Sequence, residues 1–321
     1  MRYSTRTTAI FAFGFVCGTV LFMLVARWNE QSCVAQSGFV NSDIVCGEPD
    51  AIAKTSYVAT QQEIVDMIDA ARAGGVARAA VYFRDLKRGP VFGVNELDSF
   101  APASLLKMPV AMVYMNAAMA QPGVLDARMR YTGSTTVALQ RVPPPESARE
   151  GDEYAVAELI RFMLAYSDNA SYETLDSFLR TSDGRQQLRQ ETFQELGFFD
   201  PKTRLERTLT VRGYASMFTL LYNASYLDIR HSDMLLGWLA ESSFTAGLVA
   251  GVPKEIRVAH KFGERLAVDG TKELHDCGII YYPRNPYLLC VMTRGSDWES
   301  QEELIARISG VVYEEVSSRR L

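Results

Sequence analysis

The sequence predicts an α+β fold: an antiparallel sheet built from N- and C-terminal strands, with flanking helices and an inserted all-helical lobe. Strand patterns occur near both ends of the chain, which is the first observation behind this prediction. Pro- and Gly-containing turns join two pairs of these segments as hairpins. Helical periodicity dominates the stretch between them, and one more helix closes the chain. The predicted strands are residues 76–86, 91–97, 256–262, 277–282 and 287–293.

One transmembrane helix is predicted to precede this domain. Residues 7–26 contain no charged side chain, and a helix of that length spans the hydrocarbon core of a bilayer. Arg2 and Arg6 come before the segment, so the positive-inside rule places the N-terminus in the cytoplasm. We expect a single-pass protein of the cytoplasmic membrane with an extracytoplasmic C-terminal domain. The alternative is a cleaved signal peptide and a secreted protein.

Three regions follow from this division of the chain. Residues 1–28 are the predicted membrane anchor, 29–59 a stalk or linker without sustained periodicity, and 60–321 one folded domain. The domain begins with a short amphipathic helix over residues 61–73, which Gly74 and Gly75 end.

The central helices are predicted from apolar periodicity and from their end signals. Residues 122–153 carry several prolines and no period, so they are predicted to be a connecting loop. Ser296 and Glu299 form a capping-box pattern at the start of the last helix. Helices are predicted at Ser104 to Met119, 156–166, 170–180, 184–196, 210–226, 232–242 and 296–316.

Composition and cysteine spacing exclude two classes of function. The net charge is −5 and no basic stripe alternates with aromatic residues, which argues against a nucleic-acid partner. The His and Cys spacings do not form a metal site, and we expect neither a metal nor another cofactor. Cys33 and Cys46 could close a loop in an oxidising compartment. Cys277 and Cys290 are predicted to be buried free thiols.

Ser104 and Lys107 form the first candidate catalytic pair. If Ser104 begins a helix, Lys107 lies one turn further on the same face, where its amine can activate the hydroxyl without a histidine. The free N–H groups at a helix start would also favour developing negative charge. On its own, Ser-x-x-Lys is more often a serine N-cap followed by a solvated lysine than a catalytic pair.

Two further motifs change this balance. Ser167-Asp168-Asn169 follows a helix, where such residues are also ordinary turn formers. Lys261-Phe262-Gly263 lies in a late strand, where a glycine could equally mark a bulge. The three motifs in this order, on a helix start, a helix end and a strand, favour a serine nucleophile site.

Together the motifs resemble those of the class A β-lactamase branch of the penicillin-recognising serine hydrolases, S-x-x-K, S-D-N and K-[TS]-G. Ala250-Gly251-Val252-Pro253 resembles the family's approach to the third-motif strand. The resemblance covers about residues 60–318. It implies a β-lactamase/transpeptidase-like fold and a serine hydrolase of the β-lactamase or D,D-peptidase type.

The resemblance also implies roles for the catalytic residues. Ser104 would be the acylated nucleophile and Lys107 its general base, or the relay to one. Ser167 would pass the proton to the leaving nitrogen. The backbone N–H groups of Ser104 and Glu264 would form the oxyanion hole.

Substrate binding would fall to the remaining motif residues. Asn169 would hold the substrate amide and tether Lys107. Lys261, on the same strand as Gly263, would bind the substrate carboxylate. Its charge would also lower the pKa of the Lys107 amine, as a lysine base needs near neutral pH.

The sequence departs from the family pattern in several places. Phe262 replaces a hydroxyl residue, His260 stands where Asp is common, and Glu264 puts an acid beside the oxyanion hole. The chain also lacks the loop whose Glu activates the deacylating water. Glu206 is the best remaining candidate for that base, although a solvated loop charge is the simpler interpretation.

We therefore expect a membrane-anchored enzyme that forms a covalent acyl-enzyme with β-lactams or with D-Ala-D-Ala-type stem peptides of the cell wall. Deacylation should be slow without the missing Glu. Two alternatives stay open: a non-catalytic peptidoglycan-binding module, and an esterase that acts on another acyl substrate.

Overall fold

The computed structural model describes residues 38–41 and 57–319, apart from 88, 90, 134–139, 183, 201–204 and 207, with the backbone alone at 199–200 and 205–206. The predicted membrane segment 7–26 and the cysteines Cys33 and Cys46 lie outside these residues. None of the helices within them is long and apolar enough to cross a bilayer.

A five-stranded antiparallel sheet forms the centre of the molecule, as predicted. Its strand order is β2-β1-β11-β10-β9, so the N-terminal hairpin pairs with the last strand of the chain. In this order β9 is an outer strand, and one of its edges faces away from the sheet. The strands are β1 (Val76–Asp85), β2 (Val91–Val94), β9 (Val258–Leu266), β10 (Lys272–Ile280) and β11 (Tyr287–Gly295).

Helices cover both faces of this sheet. On one face α1 and α8 pack through a core that includes Ile64, Leu304 and Ile308. On the other face α6 and α7 contact the sheet, and they continue into a lobe built from α2 to α5. The helices are α1 (Val58–Ala71), α2 (Lys107–Ala120), α3 (Val156–Ala165), α4 (Asn169–Thr181), α5 (Arg185–Glu195), α6 (Val211–Tyr222), α7 (Ile229–Leu239) and α8 (Trp298–Ser318).

Short paired strands tie the connecting segments together. The segment 122–153, predicted as loop, contributes to one of these pairs and is more ordered than its sequence indicated. The pairs are β3 (Ser99–Phe100) with β8 (Leu209–Thr210), β4 (Arg128–Arg130) with β5 (Glu153–Ala155), and β6 (Phe199–Asp200) with β7 (Leu205–Glu206).

The start of α8 differs from the predicted capping box. Asp297, not Ser296, is the N-cap, and its carboxylate accepts a hydrogen bond of 2.8 Å from the Ser300 N–H. Ser296 is held elsewhere, because its own N–H donates to the Gly75 carbonyl at 2.9 Å, where β11 ends beside β1. The capping-box prediction was therefore wrong by one residue.

Part of the segment predicted as a stalk packs against the folded domain. Val40 is 5% exposed and belongs to the core of the helical lobe. The Phe39 ring meets Tyr281 edge-on, with 5.5 Å between ring centroids, and the Phe39 N–H donates to Asp233 at 2.8 Å. These contacts hold residues 39–41 beside α6, α7 and the end of β10.

Cys277 and Cys290 form a disulfide, which corrects the prediction of two free thiols. The two residues lie directly opposite each other on β10 and β11. Side chains that face each other across adjacent strands are close enough to be bridged. The sequence could not supply this, because a shift of one residue in register would have separated them.

Replacing Cys277 and Cys290 together by Ala is expected to lower the free energy of unfolding by about 3 kcal/mol, because the bond no longer restricts the unfolded chain. Guanidinium unfolding followed by circular dichroism measures this, with the untreated and dithiothreitol-treated parent protein compared in parallel. Identical unfolding midpoints with and without reductant would show that the two cysteines are not bonded.

Candidate active site

Ser104 lies on a turn that presents it to the side chain three residues later. Residues Ala103–Leu106 form a 3-10 turn and α2 begins at Lys107, so the two side chains eclipse each other. The Lys107 Nζ is 3.1 Å from the Ser104 Oγ, as the sequence predicted. The turn starts from Ala103 at a φ of 48°, a left-handed conformation that non-glycine residues adopt mainly where the surrounding structure imposes it.

The Ser167-Asp168-Asn169 turn forms one wall of the site. Ser167 has a φ of 55°, and Asp168 caps α4 by accepting from the Ser171 N–H at 2.8 Å. The Asp168 carboxylate also accepts from the Ser147 hydroxyl at 2.6 Å. This rigid turn places the Ser167 Oγ 3.1 Å and the Asn169 Oδ1 2.7 Å from the Lys107 Nζ.

Strand β9 forms the opposite wall. The Lys261 Nζ donates to the Ser167 Oγ at 2.9 Å, which joins the helical lobe to the sheet. Gly263 lets the strand approach the nucleophile turn, since a Cβ there would lie 3.0 Å from the Leu105 Cγ and 3.3 Å from the Leu105 N. The sequence-predicted residues Ser104, Lys107, Ser167, Asn169 and Lys261 thus meet around two amines.

The surroundings of the Lys107 amine fit its neutral form. The Ser167 carbonyl and the Asn169 amide oxygen are pure acceptors, and each takes one N–H of the amine. A neutral amine has only two N–H groups, so its lone pair remains for a hydroxyl proton. The Ser104 Oγ and the Ser167 Oγ each lie 3.1 Å from the Nζ, so both hydroxyls are within reach of that lone pair. The neutral Lys107 amine can therefore accept a proton from either hydroxyl, including that of Ser104.

Burial is the main cause of the altered acidity of both lysines. It lowers the pKa of Lys107 to about 7, while the charges of Asp168 and Glu264 act in the opposite direction. Burial, followed by the positive charge on Lys107, lowers the pKa of Lys261 well below its usual value. The sequence attributed the low pKa of Lys107 to the charge of its neighbour Lys261, whereas the structure attributes it to desolvation.

Two positions that depart from the family pattern, Phe262 in the third motif and His260 beside it, have buried side chains. Phe262 is fully buried and stacks on Phe244, with 4.5 Å between ring centroids. Its ring centre lies 4.4 Å from the Lys261 Nζ, and a phenyl ring offers no hydroxyl to bond a substrate carboxylate. His260 is also buried and bonds to Asp276 at 2.7 Å. The contact joins the His260 Nδ1 to the Asp276 Oδ1.

Carboxylates near the site are occupied by other bonds. Asp168 caps α4, and Glu264 accepts from the backbone N–H groups of Arg141 and Val142 at 2.8 and 3.2 Å. Glu206 lies on β7, opposite Phe199, and its side chain is outside the described part of the chain. The assignment of Glu206 as a deacylation base therefore stays a prediction.

Sequence reasoning missed His275, which supports the nucleophile turn from β10. Its Nε2 donates to the Ala101 carbonyl at 3.0 Å, three residues before Ser104. Burial lowers the pKa of the imidazole to about 4, so it is neutral at physiological pH. No spacing rule could have indicated this contact, because it depends on the position of β10 behind the turn.

Comparisons with known proteins concern the family and the fold of this chain. A family model described as "Beta-lactamase enzyme family" matches residues 59–316. No protein of curated function matched the sequence.

Solved structures show the same fold. A β-lactamase from Chitinophaga pinensis is 20% identical, covers 80% of this chain and 99% of its own, and has a TM-score of 0.68. A class A β-lactamase from Mycobacterium abscessus is 23% identical with the same coverages and a TM-score of 0.66. An L158E mutant of PBP-A, solved as an acyl-enzyme complex with penicillin G, is 22% identical, covers 81% of this chain and 97% of its own, and has a TM-score of 0.64.

The rate at which Ser104 reacts with a neutral fluorophosphonate is expected to rise with pH and to level off above about 7. Lys107 can accept a proton only in its neutral form, which is about tenfold less populated one pH unit below its pKa than well above it. Quenched-flow labelling with intact-mass detection gives the rate. The control is Lys107→Arg. The arginine stays protonated throughout this pH range and cannot accept the proton, so this variant should react very slowly at every pH. A flat profile between pH 5.5 and 8 would contradict the role of Lys107 as base.

Proposed function

The chain belongs to the beta-lactamase enzyme family of serine hydrolases, and on that premise we propose that it forms a covalent acyl-enzyme with β-lactams or with D-Ala-D-Ala-type cell-wall peptides. Both substrate classes offer a reactive amide next to a carboxylate. The proposal includes slow deacylation and attachment of the enzyme to the cytoplasmic membrane.

The observation that carries the proposal is the Lys107 amine, which is buried, bonded to two pure acceptors and 3.1 Å from the Ser104 Oγ. A binding module gains nothing from this arrangement. Burying an amine is costly, and only proton transfer from the nearby hydroxyl makes use of its lowered pKa. This favours an enzyme over the non-catalytic alternative.

Acylation then follows from the distances. The Ser104 proton passes to Lys107 as the Ser104 Oγ bonds to the substrate carbonyl carbon. Negative charge develops on the carbonyl oxygen, which the backbone N–H groups of Ser104 and Glu264 would stabilise. The C–N bond breaks as the nitrogen takes a proton from the Ser167 hydroxyl. Lys107, which contacts Ser167 Oγ, returns the proton to Ser167.

Lys261 would recognise the substrate carboxylate. Its low pKa means that the empty site holds less positive charge than two lysines suggest. An incoming carboxylate would favour the protonated form of Lys261, so that binding and protonation support each other. Phe262 removes the hydroxyl that would share this task, and weaker carboxylate binding is the expected consequence.

Slow deacylation is supported by the state of the nearby acids. Asp168 and Glu264 both accept several hydrogen bonds, which compete with the activation of a water by either carboxylate. The PBP-A mutant of similar fold has been captured as an acyl-enzyme with penicillin G. By analogy, a penicilloyl adduct of this chain is expected to persist.

Membrane attachment rests on residues 7–26 and on the disulfide. A Cys277–Cys290 bond is typical of a compartment outside the reducing cytosol, in line with an extracytoplasmic domain. The full chain is expected to stay in the membrane pellet after a carbonate wash, and a variant that lacks residues 7–26 to be released. A released product with the mass of a cleaved chain would indicate a signal peptide instead.

Incubation with a fluorescent penicillin is expected to add one penicilloyl mass to the purified full chain, and the adduct should outlast removal of free reagent. Intact-mass spectrometry measures the adduct, and Ser104→Ala is the matched control that should show none. Rapid turnover of a chromogenic cephalosporin would contradict slow deacylation and would point to a base such as Glu206. The absence of any adduct would contradict the proposal and leave either an esterase for another acyl substrate or a non-catalytic binding module.

A further inference from the structure

Residues Gln140–Val142 form a strap that connects the two walls of the site. On one side, the Gln140 amide makes two hydrogen bonds to the Ser167–Asn169 turn. Its Nε2 donates to the Ser167 carbonyl at 2.9 Å, and its Oε1 accepts from the Asn169 N–H at 3.1 Å. This paired contact fixes the orientation of the amide and holds the strap to the helical lobe.

On the other side, the strap is held by Glu264 of β9. The carboxylate accepts from the N–H groups of Arg141 and Val142, and from the Arg141 Nε at 3.2 Å. The Glu264 side chain is only 10% exposed, which strengthens these charge-assisted bonds.

Arg141 continues past β9 to helix α8. Its Nη2 donates to Glu302, and its guanidinium lies 4.9 Å from the centre of the Trp298 ring. The arginine is therefore bonded to two acids and placed over one aromatic ring. Such a side chain is held in one position, since each contact restricts the same planar group.

The strap limits the open edge of β9. A substrate that reaches Ser104 and also contacts Lys261 must lie between the Ser167–Asn169 turn and this strand edge. The strap crosses the same interval, from Gln140 at the turn to Glu264 on the strand. A group that extends along the strand beyond Gly263 would meet the Arg141 and Val142 backbone.

We propose that the Arg141–Glu264 contact determines acyl-group specificity: it admits substrates with a small acyl group and retards those with a bulky one. This inference rests on the acyl-transfer function proposed above. Loss of the Arg141 side chain would remove its bonds to Glu264 and Glu302. The Gln140 bonds and the two backbone bonds to Glu264 would remain, so the strap would stay in place but be held to β9 less firmly. Substrate size, rather than chemical reactivity, would then be the property that changes.

The test compares a small and a bulky reagent with the same reactive group. In the full chain, the Ser104→Cys variant is alkylated with iodoacetamide and with iodoacetamidofluorescein, and mass spectrometry quantifies the peptide that carries the introduced thiol. Adding Arg141→Ala should raise the rate with the bulky reagent by about tenfold or more, because the side chain loses its charge-assisted hydrogen bonds to two acids. The rate with the small reagent should stay nearly unchanged. Arg130→Ala, which breaks an exposed ion pair with Glu153, is the matched control and should change neither rate.

The second arm uses the native Ser104 with 6-aminopenicillanic acid and with piperacillin. Arg141→Ala should raise acylation by piperacillin alone. An unchanged ratio of bulky to small rates in the alkylation arm would overturn the proposal, whether both rates stay the same or fall by the same factor. If neither penicillin reacts while the alkylation ratio shifts, the proposed β-lactam and peptide function fails and the size selection stands.

Discussion

Two lysine amines lie close together in the buried site, and the surrounding groups reduce the energetic cost of placing them there. Lys107 is 2% exposed and Lys261 is fully buried. Two charged amines at such depth would repel each other and lose their hydration, so the fold favours at least one of them neutral. The Ser167 hydroxyl lies between them and contacts both amines. The cost of burying charge thus favours a neutral amine, which is the form that can accept a proton from a hydroxyl.

The buried site also explains how two distant parts of the chain are held together. Lys107 belongs to the helical lobe and Lys261 to the sheet, and both bond to the Ser167 turn. A residue in a left-handed conformation precedes Ser104, and Ser167 adopts one itself. Such backbone conformations are retained only where many contacts impose them. The same hydrogen bonds that position the reacting groups therefore offset the strain of the turns that present them.

Much of this could be predicted from the sequence, because apolar periodicity and the three motifs are local signals. They indicated the sheet built from both chain ends and the set Ser104, Lys107, Ser167 and Lys261. The features that the sequence did not indicate depend on strand register or on contacts between distant residues. The disulfide required an exact pairing of β10 with β11, and the Arg141–Glu264 contact joins residues 123 positions apart through a loop without periodicity. The cause of the low Lys107 pKa needed the burial that only the packed lobe provides.

The docked segment Phe39–Asn41 changes where the folded unit begins. Val40 fills a place in the core, and the Phe39 carbonyl accepts from the Tyr281 hydroxyl at 3.0 Å. A recombinant fragment cut at the family boundary, residue 59, would leave that place empty and expose an aromatic surface. Such fragments are candidates for aggregation. Expression trials of the folded domain should accordingly start upstream of Gly38.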